Sequence, residues 1–203
     1  MRLAVLTGTL LCPTGWTASE REAAMLAVTH AAKGIAGWDA AVSAFGRRDT
    51  QGWQLAMAQP LHALRAALYV QAALRRLDKR LGSCIALAVS KGVLPDGPTP
   101  RLDRGHGPAF TRSAALLATL GPQRRMAHAR GGAQHAAFVL ADHVARGWTQ
   151  AQARAVAEHL PPGAGPTSET ATRLGISRQA VDQALSAAGF PALDAALTAW
   201  EAI

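Results

Sequence analysis

Cysteine is scarce in this chain of 203 residues, in which Cys12 and Cys84 are the only two. They form no CxxC pair and have no histidine at ligand spacing, so the sequence indicates neither a disulfide framework nor a zinc site. The histidines are scattered, and the pair most able to lie together, His128 and His135, is too weak a pattern to predict a metal site. We expect both cysteines to be small core residues and the protein to hold no metal.

Long hydrophobic runs are also missing. No apolar stretch approaches the length of a membrane span, and the run over residues 3–6 is too short for a signal peptide before Gly8 and Pro13 interrupt it. The composition, 49% hydrophobic and 17% charged, is ordinary for a globular protein with a sizeable core. We therefore expect a cytoplasmic protein with no membrane partner.

Acidic residues are few, with 13 Asp and Glu against 21 Lys and Arg, a formal net charge of +8 and a pI near 10.9. This excess favours a polyanionic partner. It is unevenly distributed, because residues 161–203 carry a net −2 and residues 1–160 carry +10. Phosphate contacts would therefore come from the N-terminal part of the chain or from two copies binding together.

The most specific pattern lies over residues 166–188, which predict two short helices joined by a tight turn. A helix-turn-helix needs a small residue at the helix crossing, a turn residue four positions later and a branched apolar residue six positions beyond that. Ala171, Gly175 and Val181 stand at these spacings. Gly175 can take the positive φ that ends the first helix, and Ser177 can cap the second.

The outward face of the second predicted helix is polar, with Arg178, Gln179, Asp182 and Gln183 opposite its apolar side. Arginine and glutamine are side chains that read base edges and phosphates. We predict that Ser177, Arg178, Gln179 and Gln183 contact double-stranded DNA. The plainer alternative is a helical hairpin whose alanines simply pack.

The first 90 residues predict the order strand, helix, strand, strand, helix, strand. That order is ferredoxin-like, an antiparallel sheet with helices on one face. The predicted elements are a strand over 3–6 that ends in a turn at Thr7-Gly8, a helix from a Ser19 cap to Lys33, strands over 38–45 and 53–58 forming a hairpin, a helix over 60–80, and a strand over 84–89.

Beyond residue 92 the sequence predicts mainly helices. The elements are an exposed loop over 93–106, a helix over 107–120, a short strand over 125–129, helices over 134–146 and 149–160, a Pro/Gly-rich break over 161–166, and a final helix over 192–202 after the helix-turn-helix. The break is the clearest boundary. We divide the chain into an α+β domain of residues 1–130, connecting helices over 131–160 and a helix-turn-helix domain over 161–203.

Several stretches together resemble the small bacterial SatD-like proteins. They are the run over 3–8 followed by a helix, the hairpin ending Gly52-Trp53-Gln54-Leu55, Pro60-Leu61 opening an Ala/Leu helix, residues 107–110 with Ser113, and Ile176-Ser177-Arg178-Gln179-Ala180-Val181. The resemblance implies an N-terminal domain like the palm of class III nucleotidyl cyclases, followed by an all-α helix-turn-helix domain.

The cyclase palm uses two carboxylates, one after the first strand and one in the hairpin, to hold two metal ions. The resemblance places these positions at Thr9 and Gln51, which are both neutral, and Cys12-Pro13 replaces the usual Gly-Ser pair. Asp49 is the only nearby carboxylate that could stand in. We therefore expect no enzyme, with no catalytic residue and no cofactor.

A catalytically silent palm can still bind a nucleotide or phosphate, and Arg47, Arg48 and Asp49 are the candidate ligand contacts near the hairpin. Arginines on a solvated turn are the ordinary alternative. Our leading hypothesis is a DNA-binding transcriptional regulator, a homodimer whose degenerate cyclase-like domain supplies dimerisation or sensing. Two other classes stay open: a nucleotide-binding or cyclase-like enzyme whose C-terminal helices are structural, and a protein-interaction module.

Overall fold

The computed structural model of the protein describes residues 1–38, 42–94 and 102–202. Within these residues the chain has an α+β fold, which confirms the predicted class. Its elements are β1 Arg2–Leu11, α1 Ala18–Ala36, β2 Ser43–Arg47, β3 Gly52–Met57, α2 Ala63–Arg75, β4 Gly82–Lys91, α3 Pro108–Leu117, β5 Met126–His128, α4 Gly132–Arg146, α5 Gln150–His159, α6 Thr167–Leu174, α7 Arg178–Ala187 and α8 Phe190–Glu201. Parts of the predicted first hairpin strand, 39–41, and of the predicted loop, 95–101, lie outside the described residues.

The sheet has the strand order β2-β3-β1-β4-β5. The first four strands are antiparallel to their neighbours, and β5 runs parallel to β4. β1 is central, since Ala4 lies opposite Met57 of β3 on one side and Val89 of β4 on the other. The predicted strand-helix-strand-strand-helix-strand order is present, and β5 extends it.

Both faces of the sheet are covered, whereas the sequence predicted helices on one face. Leu3 and Val5 belong to an apolar cluster that includes Phe110 of α3, while Ala4 and Leu6 point into the main core beside α1 and α2. A strand buried on both faces becomes an almost continuous apolar run rather than an alternating one. Residues 3–6 are all apolar and all buried. A sheet covered on one face only would need apolar residues at alternate positions alone.

The main core continues from the sheet into the C-terminal helices. It contains residues of five helices: Leu68 of α2, Phe138 of α4, Val156 of α5, Val181 of α7 and Leu197 of α8. The predicted boundary at residue 161 therefore separates segments that share one apolar cluster. The division into three segments stays a prediction.

The predicted turn at Thr7-Gly8 is wrong, because β1 continues to Leu11. Gly8 lies opposite Trp53 on β3, and a Cβ at Gly8 would overlap the Trp53 indole. Trp53 is fully buried, and its Nε1 donates a 3.0 Å hydrogen bond to Ser83 Oγ. The glycine makes room for this ring and does not end the strand.

Two helix boundaries also differ from the prediction. α1 is capped by Thr17, whose hydroxyl and Glu20 form the capping box that we assigned to Ser19 and Glu22. α2 begins after a short 3-10 turn at Pro60–His62 and ends at Arg75 rather than at residue 80. The chain turns away there because the Asp78 carboxylate accepts a 2.7 Å hydrogen bond from the Arg80 N–H, the local bonding that favours turns over helix.

Candidate nucleic-acid interface

The turn between α6 and α7 has the predicted geometry. Gly175 adopts φ 66° and ψ 33°, the left-handed conformation that ends α6, and the N–H of Ile176 donates to the Ala171 carbonyl. Ser177 Oγ accepts a 3.1 Å hydrogen bond from the Ala180 N–H and caps α7. The structural roles predicted for Gly175 and Ser177 are confirmed.

The inner side of this motif is held by buried contacts. Ala171, Val181 and Leu185 are buried, as the motif spacing predicted for the first two. The Trp148 indole N–H donates a 2.9 Å hydrogen bond to the Ala188 carbonyl, which fixes the end of α7 against the loop between α4 and α5. α7 therefore presents a defined outer side.

That outer side is polar and open to solvent. Arg178, Gln179 and Gln183 are all exposed, and the Arg178 side chain is 73% accessible. Arg178 Nε lies 3.6 Å from an Asp182 carboxylate oxygen one turn along the helix. The arrangement leaves these side chains free to reach another molecule, and their contact with DNA stays a prediction.

The neighbouring cation is already paired. Arg173 Nε lies 2.6 Å from Glu158, and its guanidinium is 3.7 Å from Glu169. These contacts are exposed, so each contributes little to stability. They nevertheless leave the surface around α7 without a concentration of positive charge, in agreement with the net −2 of this segment.

A largely buried ion pair fixes α8 to α2. Arg65 of α2 donates to both carboxylate oxygens of Glu201, at 2.6 and 2.9 Å, and to the Leu160 carbonyl. Burial alone would raise the pKa of Glu201, but the hydrogen bonds from Arg65 and His62 lower it below the ordinary value. This contact ties the end of the chain to the helix that covers the sheet.

The two positions that the family resemblance assigns to metal-binding carboxylates lie side by side. Thr9 is opposite Gly52 in the sheet, and the Leu10 N–H donates to the Gln51 carbonyl at 2.9 Å. Neither residue carries a charge. Asp49 cannot readily replace them, because its Oδ1 accepts the N–H groups of Gln51 and Gly52, which lower its pKa.

The candidate arginines at this end of the sheet differ in their surroundings. Arg47 forms a two-pronged ion pair with Glu22, at 2.8 Å for each bond, and is therefore already occupied. Arg48 is exposed on the hairpin turn. Among residues 1–38, 42–94 and 102–202, no group of three His, Cys, Asp or Glu side chains is placed to hold a metal ion.

The cysteine and histidine predictions have separate outcomes. Cys84 is buried as expected, but Cys12 is only partly buried. His128 and His135 do lie together, since the backbone N–H of His128 donates to the ring Nδ1 of His135 at 3.4 Å. Burial lowers the pKa of His128 to about 4, with Arg130 and His135 adding to the effect.

The sequence reasoning missed a cavity of about 410 Å³ at the opposite end of β1 from Thr9. Its wall includes Arg2, Arg112, Arg130 and His128. Arg2 lies in β1, Arg112 in α3 and His128 in β5. No sequence spacing relates residues of such distant elements, so the sequence could not predict that they meet. The usable signal was Gly131-Gly132 after a short strand and before a helix, a pattern typical of loops that bind phosphate.

Comparison with known proteins adds no relative: no family model matches the chain, and no curated protein matches it either. No helix in the part of the chain that the structure describes has both the length and the apolar character that a membrane crossing requires.

Proposed function

We propose that the protein binds double-stranded DNA through α7 as a transcriptional regulator. The observation that carries this proposal is the open polar face of α7, with Arg178, Gln179 and Gln183 exposed on a helix whose opposite side is buried. An α-helix with its side chains is about 10–12 Å across, which suits a major groove about 12 Å wide, and the ten residues of α7 extend about 15 Å along it.

The side chains of α7 suit contacts to base edges in the groove better than contacts to the phosphate backbone, because Arg178 is its only cation and Asp182 balances it. The Arg178–Asp182 contact is exposed and 3.6 Å long, so Arg178 can leave it for a guanine edge or a phosphate. Gln179 and Gln183 supply the paired donor and acceptor that adenine requires. Because residues 161–203 carry a net −2, we propose that a homodimer and the basic N-terminal residues supply the remaining phosphate contacts.

We further propose that the sheet domain is a ferredoxin-like, cyclase-type palm of the SatD-like kind that has lost cyclase chemistry. Its support is the strand order β2-β3-β1-β4 together with Thr9 and Gln51 at the carboxylate positions. Without two carboxylates the two-metal arrangement has no protein ligands. Such a domain retains its use for dimerisation or for sensing a ligand inside the cytoplasm.

The direct test is selection of DNA from a random-sequence duplex library, followed by gel shift at several salt concentrations with the enriched duplex. We expect the logarithm of affinity to fall linearly with the logarithm of salt concentration. Arg178→Ala should weaken binding about tenfold, the size of a lost base contact. Arg173→Ala is the matched control, because the Arg173 guanidinium is already paired with Glu158 and Glu169. Equal binding by Arg178→Ala and the parent protein would contradict the assignment.

The competing class is a nucleotide-binding or cyclase-like enzyme. Incubation with ATP or GTP and Mn²⁺, followed by chromatography for a cyclic product, tests the enzymatic part. We expect no product, because Thr9 and Gln51 cannot hold the metal ions. The nucleotide-binding part has its own support in the cavity at the other end of the sheet.

A further inference from the structure

The cavity of about 410 Å³ lies where β3, β4 and β5 end. Ala88 and Val89 of β4 and Ala129 after β5 line it, and Trp200 and Glu201 of α8 close it from the helical side. Its volume falls within the range of small-molecule sites. The crevice beyond the carboxyl ends of parallel strands, here β4 and β5, is a common place for ligands in α/β sheets.

Three arginines stand around this cavity: Arg2, Arg112 and Arg130. Within the described residues none of them lies in an ion pair with a carboxylate, and Arg112 donates a long hydrogen bond of 3.4 Å to Ser90 Oγ. Among the described residues of the wall the one carboxylate is that of Glu201, and Arg65 already holds it. The wall therefore carries an uncompensated positive charge with guanidinium donors available to an anion.

The loop between β5 and α4 borders the same wall through Ala129 and Arg130. Gly131 and Gly132 have φ values of 72° and 57°, and no atom lies within 4 Å of where a Cβ would be at either one. α4 begins here without a side-chain cap, and Gln134 in its first turn lines the cavity. The positive end of the helix dipole thus reinforces the arginines.

The remaining wall is apolar and aromatic. Leu61 and Val89 line it beside Trp200. The Trp200 ring is held in place by His128 and Phe138, with ring centroids 5.8 Å away in each case. A flat ring can lie against such a surface.

His128 is fixed in one form. Its Nδ1 accepts a 2.9 Å hydrogen bond from the backbone N–H of Arg130. The proton of the neutral ring therefore lies on Nε2. The His128 imidazole therefore contacts the backbone of Arg130 on one side and the Trp200 ring on the other. It connects the polar wall of the cavity with the aromatic wall.

We propose that this cavity binds a small phosphorylated ligand that carries an aromatic ring, of the nucleotide class. Arg112, Arg130 and Arg2 bind the phosphate, and Trp200 with Leu61 contacts the ring. The site lies at the far end of β1 from the hairpin positions Thr9 and Gln51, so it is separate from a cyclase centre. It also stands independently of DNA binding by α7.

Isothermal titration calorimetry tests the proposal with four probes: ATP, AMP, adenosine and inorganic phosphate. We expect the two nucleotides to bind, and to bind more tightly than either adenosine or phosphate alone. Arg112→Glu combined with Arg130→Glu should weaken nucleotide binding at least tenfold, while Arg154→Ala, at an exposed arginine of α5 outside the cavity wall, leaves it unchanged. Trp200→Leu should weaken AMP and leave inorganic phosphate unchanged. Circular dichroism checks that each variant is folded.

Three results would overturn the proposal: no heat with any nucleotide at millimolar concentration, unchanged affinity in the double glutamate variant, or loss of binding in Arg154→Ala. Gel shift with the selected duplex separates the two sources of phosphate. If the double glutamate variant keeps DNA and loses nucleotide, the small-ligand site is supported. If it loses DNA while the parent binds no nucleotide, the arginines serve the DNA backbone and the proposal fails.

Discussion

The two ends of β1 show opposite ways of using charge. At the hairpin end, Arg47 is paired with Glu22, and the Asp49 carboxylate is used by the turn itself. At the cavity end, Arg112 and Arg130 surround an open volume and have no carboxylate partner among the described residues. A charged group whose bonds are satisfied internally contributes to the fold, whereas an unsatisfied cluster around a cavity is suited to a ligand.

The same ends hold two Arg–Glu pairs of similar geometry but different burial. In the Arg65–Glu201 pair the side chains are 7% and 16% exposed. In the Arg47–Glu22 pair they are 38% and 53% exposed. Water screens the Arg47–Glu22 pair much more than the Arg65–Glu201 pair. We therefore expect different losses of folding stability when the arginine of each pair is removed.

The largest effect is expected for Arg65→Ala. Removal of the guanidinium leaves the Leu160 carbonyl without its buried donor and Glu201 with His62 as its remaining partner, which should lower the free energy of unfolding by about 3 kcal/mol. Urea denaturation followed by circular dichroism measures it. The double variant Arg65→Met with Glu201→Leu should recover part of the loss, because no buried charge remains. A loss below about 1 kcal/mol in the single variant would contradict a buried pair.

An intermediate effect is expected from His128 as pH falls. Its pKa is about 4 in the folded protein against 6.5 when unperturbed, so between these values the unfolded chain binds a proton that the folded one does not. The free energy of unfolding should therefore fall by about 2–3 kcal/mol from pH 6.5 to 4. His128→Gln should lose this part of the slope in urea titrations. His143→Gln, on the exposed side of α4, is the control and should keep it.

The smallest effect is expected for Arg47→Ala. Since Arg47 and Glu22 are both well exposed, the urea midpoint should stay within experimental error of the parent protein at high salt and shift only slightly at low salt. A midpoint shift as large as that of Arg65→Ala would show that the Arg47–Glu22 pair stabilises the protein as much as the Arg65–Glu201 pair. The difference that we infer between the two ends of β1 would then be contradicted.

Local patterns predicted much of the fold and part of the site. The strand and helix order to residue 90, the left-handed Gly175 and the Ser177 cap are each set by residues within a few positions of one another. The errors came from distant partners. The predicted turn at Gly8 failed because its neighbour Trp53 is 45 residues away in the chain but adjacent in the sheet.

The sequence by itself determined the class of fold, the turn between α6 and α7 and the polar outer side of α7, because helix periodicity, capping and glycine conformation are short-range properties. Only the tertiary structure decided that α3 covers a second face of the sheet, that Arg65 is buried against Glu201, and that Arg2, Arg112 and Arg130 meet around one cavity. These three arginines lie on separate elements, and no spacing rule relates residues that are joined only by the folding of the sheet.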